Sequence, residues 1–302
     1  MSLSIGKRTF IAFAAVYLVW GSTYLAIRFT IETLPPLLTA GVRFLLAGII
    51  LSVFSYIKEG AMQVSREHWK SAFIIGGLLL LGGNGSVVWA EHFVPSGLAA
   101  LVIAVTPLWM VLLQWLWQKG KRPSAGVLAG IAIGFMGVGI LIAPDLRTHV
   151  YQVHIGGTLA LLLASLSWAV GSVYSRRVAV PKSPFLATGM QMICGGLLLV
   201  LAGLVQGEIS LVHPASFSFK SIMAFIYLIF AGSLIGFTAY IWLLKNVGIT
   251  KASTYAFVNP IVAVILGCLL AGEQLNMHIG LAACLIVAAV IIITLYHREE
   301  IC

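Results

Sequence analysis

The sequence predicts an all-α integral membrane protein: ten transmembrane helices in two inverted five-helix repeats, with both termini cytoplasmic. The chain of 302 residues is 60% apolar and 9% charged, with mean hydropathy +1.04. A soluble domain carries about 25% charged residues, so these charges cannot clothe a water-soluble surface. The second half also echoes the first. Trp20, Arg28, Gly41 and Gly48 recur 148 residues later as Trp168, Arg176, Gly189 and Gly196, and Gly83, Trp89 and Pro107 recur 153 residues later as Gly236, Trp242 and Pro260. Gly130 pairs with Gly280 at an offset of 150. The repeats divide as 1–147 and 154–302, together one domain. A duplicated unit with an odd number of spans inserts its second copy upside down, as in the inverted repeats of secondary transporters.

In chain order the apolar runs are 10–29, 36–57, 69–91, 96–117, 124–143, 156–175, 184–205, 221–244, 250–271 and 277–296. Each is near the roughly 20 residues a spanning helix needs. Run one follows Lys7 and Arg8 as a signal peptide would. It continues to Phe29 without an early small-residue cleavage site, so it reads as an uncleaved span. Runs two and seven open at Pro35-Pro36 and Pro184, where proline suits a first helical turn. Runs three and four are joined by a short turn ending at Pro95. Pro123 and Pro144 bound run five. Runs six and eight repeat the Trp of runs one and three. Runs four and nine carry Pro107 and Pro260 internally. Each proline removes one helical hydrogen bond, so the freed carbonyl can kink the helix and face a cavity. Runs five and ten are nearly free of hydrogen-bonding side chains. In run five, Gly126, Gly130, Gly134 and Gly137 suit close packing within the fold or against a second copy, which leaves a homodimer open.

The basic residues sort by loop. Lys7, Arg8, Lys58, Arg66, Lys70, Lys119, Lys121, Arg122, Arg176, Arg177, Lys182, Lys245, Lys251 and Arg298 fall on the N-terminal side. Arg28, Arg147 and Lys220 alone fall on the other, and Arg43 lies within a run. The positive-inside rule therefore places both termini in the cytoplasm. The formal net charge of +9 is read as a topology signal facing the lipid bilayer, not as a nucleic-acid surface.

Several chemistries are excluded. There is no Gly-x-x-x-x-Gly-Lys-Ser/Thr loop, no His-Glu-x-x-His and a single Asp, Asp145. No run carries a pair of carboxylates, and the four cysteines show no metal-ligand or disulfide spacing. No catalytic residue, cofactor or metal is expected.

Polar and aromatic side chains concentrate in runs one, three, four, six, eight and nine. The candidates are Trp20 and Tyr24, Asn84 and Trp89, Thr106 and Pro107, Trp168 and Tyr174, Tyr240 and Trp242, and Tyr255, Asn259 and Pro260. A spanning helix satisfies its own backbone, so polar side chains answer to packing or to water. Packing polarity would be spread over every run, and this clustering suggests a shared cavity. Arg43 either faces that cavity, paired with Glu91 or an anionic substrate group, or snorkels to the interface. Glu91 and His92 end run three as candidates for a gate or for proton coupling, or lie simply at the interface. Glu273 is expected to cap the helix that follows it.

The stretches WGSTYLAIRFTIETLPPLLTAGVRFLLAG (20–48), AEHFVPSGLAALVIAVTPLWM (90–110) and YAFVNPIVAVILGCLLAGEQL (255–275) resemble the EamA family of the drug/metabolite transporter superfamily, the first two its bacterial YedA-like exporters. The resemblance covers essentially the whole chain. It implies two inverted five-helix repeats in the bacterial inner membrane, around a cavity lined mainly by helices one, three, four, six, eight and nine. It further implies secondary active export of small metabolites, amino acids or amphiphilic drugs by alternating access. An uncoupled facilitator of the same solutes is the alternative reading. The family has no invariant substrate-binding residue, so the resemblance carries only a cavity or gate role to Trp20, Trp89, Pro107, Trp168, Trp242 and Pro260. The halves also differ: Gly21 matches Ala169 and Arg43 matches Gln191. A membrane-embedded enzyme would need convergent acid/base groups that are absent, and an assembly protein would need no polar seam.

Overall fold

The computed structural model describes residues 5–118, 124–142, 154–273 and 277–299. Lys119, Lys121 and Arg122 of the charge count lie outside the described residues, as do Pro123, Pro144, Asp145, Arg147 and Cys302. The described residues are helical with no strand. Seven helices are long and apolar enough to cross a membrane: α1 (Gly6–Thr30), α2 (Pro36–Glu59), α3 (Arg66–Ala90), α4 (Ser96–Trp117), α6 (Ile155–Ser175), α7 (Pro184–Val205) and α8 (Phe219–Asn246). Helices α5 (Ala125–Ile142), α9 (Tyr255–Ala271) and α10 (Met277–Glu299) complete the fold. Their apolar stretches are shorter.

Two ends of the bundle are defined by side-chain contacts. At one, Arg28 Nη1 donates to the Glu91 carbonyl (2.8 Å), and Lys220 pairs with Glu32. At the other, the Ser55 and Ser183 hydroxyls bond at 3.0 Å, and Lys58 lies over the Phe54 and Phe185 rings. These are called the Arg28 end and the Lys58 end below.

Lipid tails are as apolar as leucine, so helices in a bilayer associate by close packing of small residues more than by hydrophobic burial. Two helix pairs follow this rule. Helices α2 and α7 cross through four glycines. A Cβ on Gly41 would meet the Gly196 carbonyl oxygen at 2.9 Å, and one on Gly196 would meet that of Gly41 at 2.9 Å. Gly48 and Gly189 stand in the same reciprocal relation, at 2.8 and 2.9 Å. Helices α5 and α10 pack through Gly130 against Ile293 and Gly137 against Ile286. The run-five glycines are thus spent inside the fold, and neither α5 nor α10 supplies a residue to the central cavity.

The remaining helices are irregular where they meet. Spans α1, α3 and α8 each contain a π-helical stretch: Ala15–Val19, Gly77–Gly85 and Leu228–Phe237. Such wide turns are rare and cluster at functional positions. Helix α4 is broken between Ser96–Ile103 and Thr106–Gln118, immediately before Pro107. Run nine is likewise broken, a short helix Ile249–Ala252 preceding α9. The carbonyl that Pro107 frees is that of Ile103. The Thr106 hydroxyl donates to it at 2.5 Å. Pro107 therefore bends the helix without leaving a bare acceptor.

Candidate functional site

A cavity of about 70 Å³ lies at the middle of the bundle. Its wall is built from both halves: Trp20, Thr23 and Tyr24 of α1, Arg43 and Phe44 of α2, Gly83 and Asn84 of α3 and Ile103 of α4, then Trp168 of α6, Gly232 and Phe237 of α8, and Tyr255 and Asn259 of α9. Arg43 and Phe44 add the second helix to the six that the resemblance makes the main lining of the cavity. Helix α2 turns its glycines to α7 and Arg43 to α8, where Arg43 Nε donates to Ser233 Oγ at 2.7 Å.

The floor toward the Lys58 end is aromatic. Trp20 and Trp168, the repeat-related pair, meet edge to face at 5.4 Å between centroids. Tyr240 and Tyr255 pack on Trp20 at 4.9 and 5.5 Å. Trp168 Nε1 donates to the Tyr240 hydroxyl (3.0 Å), which also bonds Ser172 (2.7 Å), and Trp20 Nε1 donates to the Gly232 carbonyl (3.1 Å). The seats are reciprocal: a Cβ on Gly83 would meet Trp168 Cε3 at 2.8 Å, and one on Gly236 would strike the Trp20 indole. Each half thus supplies the glycine under the other half's tryptophan. Asn259, with its amide nitrogen turned to the Tyr17 and Tyr255 carbonyls (3.0 and 3.2 Å), ties α9 to α1.

Toward the Arg28 end the cavity narrows. A void of about 10 Å³ shares Ile27 and Arg43 with the main cavity. A shallow groove of about 320 Å³, holding Glu32 and His92, shares Ile31 and Pro36 with that void. Arg43 therefore stands between the centre and a line of voids leading toward the surface. Two carboxylates bind the helices at this end. Glu273 Oε1 accepts from Ser96 N (2.7 Å) and Ser96 Oγ (2.6 Å), and its Oε2 accepts from Gly97 N (2.9 Å). Glu208 accepts from Leu37 N (3.1 Å) and Leu38 N (2.8 Å). Both answer the free N–H groups and positive dipole of a helix N-terminus. Glu273 was expected to cap the helix following it and caps α4 instead.

The gate candidates fall apart. Glu91, in the turn after α3, is fully buried, and neither carboxyl oxygen has a hydrogen-bond partner among the described residues. Burial and then the charge of Glu273 push its carboxyl well above the usual range, and Arg28 opposes them. Arg43 is not among its charged neighbours, so the expected Arg43–Glu91 pair is absent. His92 is exposed in the surface groove.

Of the other candidates, Trp89, Trp242 and Tyr174 are half-buried off the cavity, Trp89 against Phe93 at 5.1 Å. Trp89 lies two residues past the cavity-facing Val87, and Trp242 two past Tyr240. Two residues turn a helix by about 200°, to its opposite face. Thr106, Pro107 and Pro260 are buried behind the wall, and Tyr240 lies beneath the floor. Phe44, Gly232 and Phe237 were missed. The repeat-matched Gly83 and Gly236 were the available signal, since small residues opposite a matched tryptophan mark its seat.

The model of the EamA-like transporter family matches twice, over residues 7–143 and 155–295. The inner membrane transporter YedA of Escherichia coli (strain K12) is 40% identical over 286 residues, covering 94% of this chain and 90% of that protein. The transporter YoaV of Bacillus subtilis (strain 168) is 23% identical over 272 residues, 90% of this chain and 91% of that one. A solved crystal structure superposes with TM-score 0.68 at 22% identity, covering 97% of this chain and 99% of the other, and so shares the fold. The chain belongs to the EamA-like transporter family and is a multi-pass inner-membrane transporter, not an enzyme.

Proposed function

We propose that the protein is a secondary active exporter of small metabolites, amino acids or amphiphilic compounds, working by alternating access. In this reading α1–α10 all span the membrane as two inverted five-helix repeats. The Arg28 end faces outward and both termini lie in the cytoplasm. The observation that carries the reading is the central cavity, walled by both halves and closed toward each end by contacts between them. Substrate pockets commonly measure about 300–1,000 Å³, so a void of about 70 Å³ corresponds to an occluded, contracted state. Loading from the cytoplasm requires the Trp20–Trp168–Tyr255 floor to part, and release requires the Glu273 clamp to open. The breaks before Pro107 and Tyr255 give α4 and α9 the hinges for this.

An uncoupled facilitator is favoured by one feature: no carboxylate lines the cavity among the described residues. Metabolites accumulated by cells lacking the protein would be loaded into proteoliposomes and their efflux followed with and without ion gradients. Efflux that a gradient drives uphill supports the exporter. Efflux only downhill supports the facilitator, and none with any solute overturns both. Reporter fusions after Tyr296 test the topology, and a periplasmic C-terminus would overturn the inverted arrangement.

A further inference from the structure

The guanidinium of Arg43 is buried, 4% exposed, in the wall of the central cavity. Its Nε donates to Ser233 Oγ (2.7 Å), and its Cζ lies 4.6 Å from the centroid of the Phe44 ring. Arginine is effectively always charged, and a buried charge left unpaired is costly. None of the carboxylates among the described side chains lines the cavity. Glu32 pairs with Lys220, Glu208 and Glu273 cap helices, and Glu59 bonds Ser55 near the Lys58 end. Glu67 is exposed, and Glu91 answers to Glu273 and Arg28. The cavity therefore holds a cation whose counter-charge the described side chains do not supply. A second observation lies in the same wall: Asn84 Oδ1 is buried with no partner. Of the other polar groups there, Thr23 Oγ1 donates to the Trp20 carbonyl and the Asn259 amide nitrogen to those of Tyr17 and Tyr255, while the Tyr24 hydroxyl also lines the wall.

Resting on the transport reading, we propose that the cavity selects solutes bearing a single carboxylate, with Arg43 as the anion-binding residue. Asn84 Oδ1 accepts from a hydroxyl, amide or ammonium donor of the same solute. The apolar body lies on the Trp20–Trp168–Tyr255 floor. The planar guanidinium fork matches a carboxylate in two hydrogen bonds. A dianionic phosphate would leave one negative charge uncompensated, since Arg43 is the sole basic residue lining the cavity among those described. A lone organic cation would face Arg43 with no carboxylate to hold it. The selection is built on one side only, because the repeat partner of Arg43 is the neutral Gln191, buried on α7.

The full-length protein in lipid nanodiscs would be titrated with phenylacetate, phenylacetamide and phenethylammonium, matched in shape and different in charge. Binding is read from the emission of the cavity tryptophans and from thermal stabilisation. Acetate and acetamide serve as the smallest pair. Wild type should prefer each carboxylate over its amide and exclude the ammonium. Arg43→Gln should weaken carboxylate binding by roughly 10- to 100-fold while leaving the amide unchanged. Arg43→Lys should restore part of it, as a point charge without the fork. Both variants must remain monodisperse. Ser233→Ala, which frees the guanidinium without removing it, gives a milder loss and a check independent of the charge change. Equal binding of carboxylate and amide, equal carboxylate binding by wild type and Arg43→Gln, or no carboxylate binding at tens of millimolar would each overturn the proposal. Proteoliposomes separate the two readings. Carboxylate binding without movement of any solute sinks transport and keeps the site. Transport of the carboxylate that Arg43→Gln leaves unchanged, or transport that favours the matched amide or ammonium over the carboxylate, sinks the site and keeps transport.

Discussion

The Glu273 clamp offers the sharpest test of how the bundle opens. The carboxylate joins the C-terminal end of α9 to the N-terminus of α4 through three hydrogen bonds of 2.6–2.9 Å. Bonds to a charged group contribute about 1.5–3 kcal/mol each, but they are not additive, and partial exposure screens this one. In Glu273→Gln the amide oxygen can keep the Ser96 pair, while the amide nitrogen meets the Gly97 N–H as donor against donor. The net loss is about 2 kcal/mol, or roughly 30-fold in the opening equilibrium at this end. Helix α4 is already broken beside Pro107 and a break precedes α9, so the loss should appear as opening and not as unfolding. The assay is the labelling rate of a cysteine at Ile103, in a background lacking the native cysteines, with an impermeant maleimide added from the Arg28 side. The rate should rise by one to two orders of magnitude with little change in melting temperature. Glu208→Gln is the contrast. Its carboxylate caps α2, which is locked to α7 backbone against backbone, so it should lower the melting temperature without raising Ile103 labelling. A folded Glu273→Gln variant with wild-type labelling would refute the clamp, as would identical behaviour of the two variants.

Gly83→Ala and Gly236→Ala should each destabilise by about 1–3 kcal/mol, because the new Cβ meets the tryptophan of the opposite half. A lower melting temperature with shifted tryptophan emission is expected from both, and a silent variant would dissolve the reciprocal seating. Pro107→Ala and Pro260→Ala should keep folded yield but change the side from which cysteines at Thr106 and Asn259 can be labelled. If neither position is reached from either side in any condition, the prolines are packing kinks. Folding raises the affinity of Glu91 for its proton, so its contribution to stability is fully present below the ordinary carboxylate range and is lost as pH rises toward the raised value. Melts over that window should flatten in Glu91→Gln, and equal pH slopes in the two proteins would show that Glu91 does not titrate there.

Class and family membership were legible in the residues because a membrane imposes its constraint on composition and period. Apolar runs, the distribution of Lys and Arg, and the Gly, Trp and Pro spaced 148 and 153 apart are all one-dimensional signals. Trp20, Tyr24, Asn84, Trp168, Tyr255 and Asn259 line the central cavity. Tertiary structure decided what depends on helical phase and on which helices meet. Trp89 and Trp242 carry the same residue type as Trp20 and Trp168 yet stand off the cavity, at a helical phase that π-helical turns in α3 and α8 obscure. Glu273 announced a capping carboxylate, but only packing chose the N-terminus of α4 over that of the helix following it. Arg43 announced a costly buried charge. That it faces Ser233 and open cavity instead of Glu91 follows from the glycine crossing of α2 with α7, which directs the other side of α2 toward α8. Composition and spacing act along the chain, whereas a cavity is made by side chains from seven helices whose rotations only their mutual packing sets.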